Sequence, residues 1–207
     1  MNIVSKSFEN ANIVFVLPKD ARVNVEPAKV FGLFPQDATR GATFVDDSTM
    51  EVKIFHFPQL KLKLLFEQNR LRIDDASGED PATSKRGLEA HRLAEALLVG
   101  LPVQSQGFNY DLIYRFDNVI PQQAIMKSFV APEQLEDVRD FGWQFSIVRN
   151  KGAESRTYFF KAVSPLEMGL HVNFHFNTPQ LLASEELQKR YAACYQEADT
   201  IFKHLTF

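Results

Sequence analysis

Two histidines four residues apart, His171 and His175, are the first place where this chain could do chemistry. On a helix that spacing sets two imidazoles on one face, ready to grip zinc. The neighbours of the pair argue for a different backbone. Across Gly169–Asn177, Leu170, Val172, Phe174 and Phe176 alternate with His171, Asn173, His175 and Asn177. A period of two marks a half-buried strand. Four strand steps span roughly 13 Å, whereas both ring nitrogens would have to lie about 2.0–2.1 Å from one zinc. The pair therefore reads as two separate polar groups on one side of a sheet, and neither a metal nor a cofactor is assigned to the chain.

Asp111 or Glu154 beside His171 would make an acid–base pair, and no spacing selects between them. The chain has no Gly-x-Ser-x-Gly elbow, no phosphate-binding Gly-x-x-x-x-Gly-Lys loop and no dinucleotide-binding Gly-x-Gly-x-x-Gly. Its one cysteine, Cys194, lies in an apolar helical stripe and reads as a buried thiol. No nucleophile can be named, so the sequence leans away from an enzyme. What remains is a surface. If the strands of the second half share one sheet, Asn109, Asp111, Arg115, Gln144, Ser146, Phe159, Lys161, His171, Asn173 and His175 fall on its non-core face. A solvated face is the plain reading, because antiparallel sheets commonly expose one side. The functional reading is a partner surface. Amides, imidazoles and guanidinium groups around a Phe suit a protein contact, with single-stranded nucleic acid stacked on the same face as one alternative and a small-molecule enzyme working through His171 or His175 as another.

These residues need elements to position them. In the first half, Ala11–Leu17 is β-branched and stops at Pro18, which predicts a central strand. Pro27 opens a short helix, Ala28–Phe34. Gln36–Ser48 reads as loop. Met50–Phe57 alternates, and Leu60–Ile73 reads as a hairpin turning at Gln68-Asn69. That register places Phe66 opposite Leu71 and Leu64 opposite Ile73 inside, with Glu67 opposite Arg70 and Lys63 opposite Asp74 outside. The basic residues of this hairpin thus meet their own counter-charges. Asp74–Pro81 reads as an exposed acidic loop. A helix follows, capped by Thr83 or Ser84, ended by Gly100 and striped by Ala90, Leu93, Ala94, Leu97 and Leu101. His91 sits beside that stripe as a boundary histidine.

Val103–Gly107 reads as a linker, and Phe108–Phe116 alternates again. Pro121 and Pro132 open two short helical pieces. Trp143–Arg149 and Arg156–Val163 form a hairpin, with Trp143, Phe145 and Ile147 beside Tyr158 and Phe160. Ser184 begins the last helix, which has Glu185 and Glu186 in its first turn and Lys203 and His204 in its last. Its stripe is Leu187, Tyr191, Cys194, Tyr195, Ala198, Ile201, Phe202 and Leu205.

The fold class is α+β: a mainly antiparallel sheet backed by helices on one face, in two halves, 1–102 and 103–207, that can form one continuous domain. Each half opens with a strand holding Asn at its second position, Ala11-Asn12-Ile13 and Phe108-Asn109-Tyr110. Each continues through a proline-started helix (Val25-Glu26-Pro27; Val119-Ile120-Pro121) and three strand-like runs to an amphipathic helix. This suggests an internal duplication of a β-α-β-β-β-α unit. The order of elements resembles the tandem halves of TATA-binding-type saddles. The resemblance implies an arrangement and not a function.

Composition sets the outer limits. With 207 residues, 45% hydrophobic and 24% charged, a folded core is expected. Nineteen Phe residues make that core aromatic. A net charge of −3 supplies no global pull toward nucleic acid or anionic membrane. No apolar run reaches the length of a membrane-spanning helix. The N-terminus lacks a secretory apolar run, and one cysteine suits a reducing compartment, so the expected location is cytoplasmic.

Overall fold

The computed structural model describes residues 2–23, 25–118 and 144–201. Among these, the strands are β1 (Ile3–Val16), β2 (Thr43–Asp47), β3 (Val52–Phe57), β4 (Leu62–Glu67), β5 (Arg70–Asp75), β6 (Ser105–Phe116), β7 (Gln144–Lys151), β8 (Glu154–Ser164) and β9 (Glu167–Phe176). They form one antiparallel sheet in the order β2-β3-β4-β5-β1-β6-β9-β8-β7. The helices among the described residues are α1 (Pro27–Phe31), α2 (Arg86–Leu97) and α3 (Ser184–Thr200). The α+β class and the antiparallel sheet are as the alternation requires. No described helix is long and apolar enough to cross a membrane.

Alternation decides which side is inside. Ala11, Ile13 and Phe15 of β1, Phe108, Tyr110, Leu112 and Tyr114 of β6, and Leu170, Val172, Phe174 and Phe176 of β9 are all buried. The helices pack on this face. Tyr191 of α3 lies 5.8 Å from Phe108 and 5.5 Å from Tyr110, ring centre to ring centre. The Tyr110 hydroxyl donates to the Tyr191 carbonyl at 2.5 Å, which satisfies the polar tip of a buried ring. Phe31 of α1 meets Phe55 and Phe57 edge-on. Among the described residues, the opposite face carries no helix.

The hairpin β4–β5 has the expected register, with Phe66 opposite Leu71, Leu64 opposite Ile73, Glu67 opposite Arg70 and Lys63 opposite Asp74. Its ion pairs centre on a different cation. Arg72 holds Asp74 at 2.9 Å and Glu67 at 3.6 Å. The β7–β8 hairpin sets Phe145 opposite Phe160 and Ile147 opposite Tyr158. The helices proposed after Pro121 and Pro132, Trp143, and the positions Phe202 to Leu205 lie outside the described residues.

Several expectations are corrected. Within the expected loop Gln36–Ser48, Thr43–Asp47 is β2, an edge strand whose polar residues face solvent. The supposed linker Val103–Gly107 enters β6 at Ser105, directly opposite Val16. Gln106 there is fully buried because its side chain donates to Thr178 Oγ1 at 2.8 Å and to the Gln180 carbonyl at 3.0 Å. Asp75 is no loop residue either. It ends β5, is 1% exposed, and takes the Arg86 guanidinium through both oxygens at 3.0 and 3.1 Å. The cap position of α2 is Lys85 and neither Thr83 nor Ser84, whereas α3 begins at Ser184 as expected.

α2 and α3 touch where neither chain has room to spare. A Cβ built on Gly87 would lie 2.8 Å from Gln188 Cα. Gln188 donates to the Ser84 carbonyl at 2.8 Å and accepts from the Leu88 amide at 3.2 Å. Gly87→Ala is therefore expected to destabilise the fold. The clash with backbone, about 1–3 kcal/mol, outweighs a helix-propensity gain of about 1 kcal/mol. Denaturant unfolding checks this, and an unchanged or higher midpoint would contradict it. Burial pushes the Cys194 thiol up to about 12, so only a trace of thiolate exists near neutral pH. A thiol reagent at pH 8 should label the native protein very slowly and the denatured protein at once.

Candidate functional site

The face that carries no helix among the described residues is built from the middle of β1, β6, β9 and β8. Their register lines up two polar rows across the strands. In the first, Asn12 stands opposite Asn109, Asn109 opposite Asn173, and Asn173 opposite Thr157. Asn173 Nδ2 donates to Asn109 Oδ1 at 2.5 Å, and Asn109 Nδ2 donates to Asn12 Oδ1 at 2.6 Å. In these two bonds Asn109 uses one N–H and one lone pair, Asn12 one lone pair and Asn173 one N–H. Asn109 is 8% exposed, and the chain of amides accounts for a polar side chain at that depth.

In the second row, Asn10 stands opposite Asp111, Asp111 opposite His171, and His171 opposite Phe159. His171 Nδ1 lies 2.7 Å from Asp111 Oδ1. Asp111, and not Glu154, is thus the partner of His171; Glu154 pairs with Arg156 at 3.1 Å. Burial alone would raise the Asp111 carboxyl. The hydrogen bond and charge of His171, the Asn10 amide and the Lys161 ammonium outweigh it and hold the carboxyl below its ordinary range. An ionised carboxylate only accepts, so Nδ1 carries the proton. Nε2 is the nitrogen that the Asp111 contact does not use.

A bulge completes this row. The β1–β6 register slips between Phe8, opposite Leu112, and Asn10, opposite Asp111. Glu9 is the extra residue, and it joins Asn10 on the rim of a hollow of about 620 Å³. Such re-aiming of a side chain is what a bulge does to a strand. Gly169 leaves room in the floor, and the Lys161 stem lies over it; a Cβ there would meet Lys161 Cε at 3.0 Å. Phe159, Ile113 and Val163 supply apolar walls. A second hollow of about 370 Å³ lies over Gly107, with Arg70, His175 and the asparagine row around it. His171 lines both.

All ten residues expected from the sequence on this face are placed there by strand register, Ser146 opposite Phe159 among them. Asn109, Asp111, Phe159, Lys161, His171, Asn173 and His175 line the hollows. Arg115, opposite Glu167, and Gln144, opposite Lys161, lie at strand ends outside them. His171 and His175 point the same way, and His175 turns to Asn177 at 3.1 Å. Among the described residues no group of three or more His, Cys, Asp or Glu could hold a metal. The sequence reading missed Glu9, Asn10 and Asn12 as site residues. For Asn12 the signal was present: Asn12 and Asn109 stand out together in the sequence, and they are direct partners across β1 and β6. No protein-family model matches the chain, and no curated protein matches it either.

A carboxylate with a depressed pKa contributes stability that is present above its unfolded-state pKa and lost as pH falls through its folded-state value. Asp111→Asn removes that contribution. The stability gap between wild type and this variant is therefore expected to be open at about pH 5 and to close below the ordinary Asp range of about 3.9. Thermal unfolding of both proteins between these limits checks the sign. A gap that widened in acid would contradict the assignment.

Proposed function

We propose that this protein is a non-enzymatic binding module that takes a protein partner on the open face of its sheet. The observation that supports this reading is one-sidedness. α1, α2 and α3 pack on a single face, while the other carries ordered amides, an Asp–His pair and the half-buried Phe159 around two hollows. Side chains already held by hydrogen bonds lose little freedom when a partner arrives. Mixed aromatic and polar character is what a protein interface shows. Nucleic acid is less well served, because Arg72 is committed to Asp74 and Glu67 and the chain carries a net charge of −3. A single buried thiol fits work in the cytoplasm.

The test is affinity capture from native lysate with the full chain and two variants. Asn173→Arg places a bulky charge in the middle of the open face. Lys29→Glu changes an exposed residue of α1 and serves as control. The same protein should be retained by wild type and Lys29→Glu and lost with Asn173→Arg, with the circular dichroism of a folded chain for all three. Absence of any stoichiometric protein, retention by Asn173→Arg, or an eluate dominated by absorbance at 260 nm would overturn the reading.

A further inference from the structure

The hollow over Gly169 has a polarity of its own. On the β1–β6 side stand two carboxylates, Glu9 and Asp111. On the β8 side stands the Lys161 ammonium, exposed and without an ion pair among the described residues. Asp111 stands opposite His171 and Lys161 opposite Gly169, so two strand spacings of about 4.8 Å and an offset of two residues, about 6.8 Å, separate their backbones. Both Glu9 and Lys161 are long, flexible side chains that can close on something lying between. The floor and remaining wall are apolar, from Gly169, Ile113 and Phe159. The volume falls in the range of small-molecule sites, about 300–1,000 Å³.

A surface serving only solubility gains nothing from a bulge that sets one more carboxylate over an apolar floor. A simple anion would meet two carboxylates here, and a simple cation would meet Lys161. A molecule carrying both charges satisfies both walls. We propose that this hollow binds a small zwitterion of the amino-acid class. Its carboxylate is taken by Lys161, its ammonium by Glu9 and Asp111, and its side chain lies against Phe159 and Ile113. His171 holds Asp111 in place through Nδ1, which makes it a positioning residue. This site goes beyond partner binding and does not depend on it, because the ligand is a free small molecule.

Calorimetric titration of the purified full chain tests the proposal with three probes of one shape: L-phenylalanine, 3-phenylpropionate, which lacks the ammonium, and 2-phenylethylamine, which lacks the carboxylate. Phenylalanine should bind saturably at one site, about tenfold or more tighter than either analogue, since each lost charge contact is worth at least that factor. Lys161→Met should weaken phenylalanine and phenylpropionate and leave phenylethylamine unchanged. Glu9→Gln should weaken phenylalanine and phenylethylamine and leave phenylpropionate unchanged. Both positions are exposed, so both variants should keep the wild-type melting temperature. No saturable binding of phenylalanine up to about 10 mM, equal affinity for all three probes, or indifference to both substitutions would overturn it.

Discussion

Everything in this structure hangs on the pairing of β1 with β6. These two long strands meet along their length, from Ile3 opposite Phe116 to Val16 opposite Ser105. β1 carries β5, β4, β3 and β2 on its other side, and β6 carries β9, β8 and β7. Without this one seam the sheet would be two smaller sheets. The seam also explains the contact between α2 and α3 behind it. α2 follows the first set of strands and α3 the second, so the two helices come together over the junction. The fit of Gly87 against Gln188 then fixes how they lie.

The two sides of the seam solve opposite problems. On the covered side, Phe, Tyr and Leu fill the space, and each polar group that comes along needs a partner. Asp75 and Arg86 neutralise one another, and the Tyr110 hydroxyl reaches a helix carbonyl. On the side that carries no helix among the described residues, the asparagines bond to one another across strands, which holds them in fixed orientations. The same alternation of residues therefore yields a packed core in one direction and an ordered polar platform in the other.

Much of this was legible in the sequence where a period of two ran unbroken. β3, β4, β5, β6, β8 and β9, the inward Phe and Leu sets and the outward His and Asn sets all follow from it. The reading failed where composition and environment disagree. β2 is polar because it is an edge, so Thr43, Asp46 and Asp47 look like loop. Ser105 and Gln106 look like linker and yet are buried: Ser105 pairs with Val16 of β1, and Gln106 reaches Thr178, far along the chain. Asp75 looks like part of an acidic turn because its partner, Arg86, lies beyond that turn. The union of Asp111 with His171 depends on register between strands separated by 60 residues. One sequence offers candidates for such a pair but does not choose among them.

The slip at Glu9 shows how the strand tolerates a residue it does not need. Phe8 already faces inward opposite Leu112, and Asn10 already faces outward opposite Asp111. A chain shorter by Glu9 alone would run through this point in uninterrupted alternation, with every remaining side chain still on its present face. Glu9 thus lengthens the polypeptide without lengthening the sheet. It is surplus to the architecture, and a change of one residue in chain length at this point would leave the core as it is while altering the rim of the hollow.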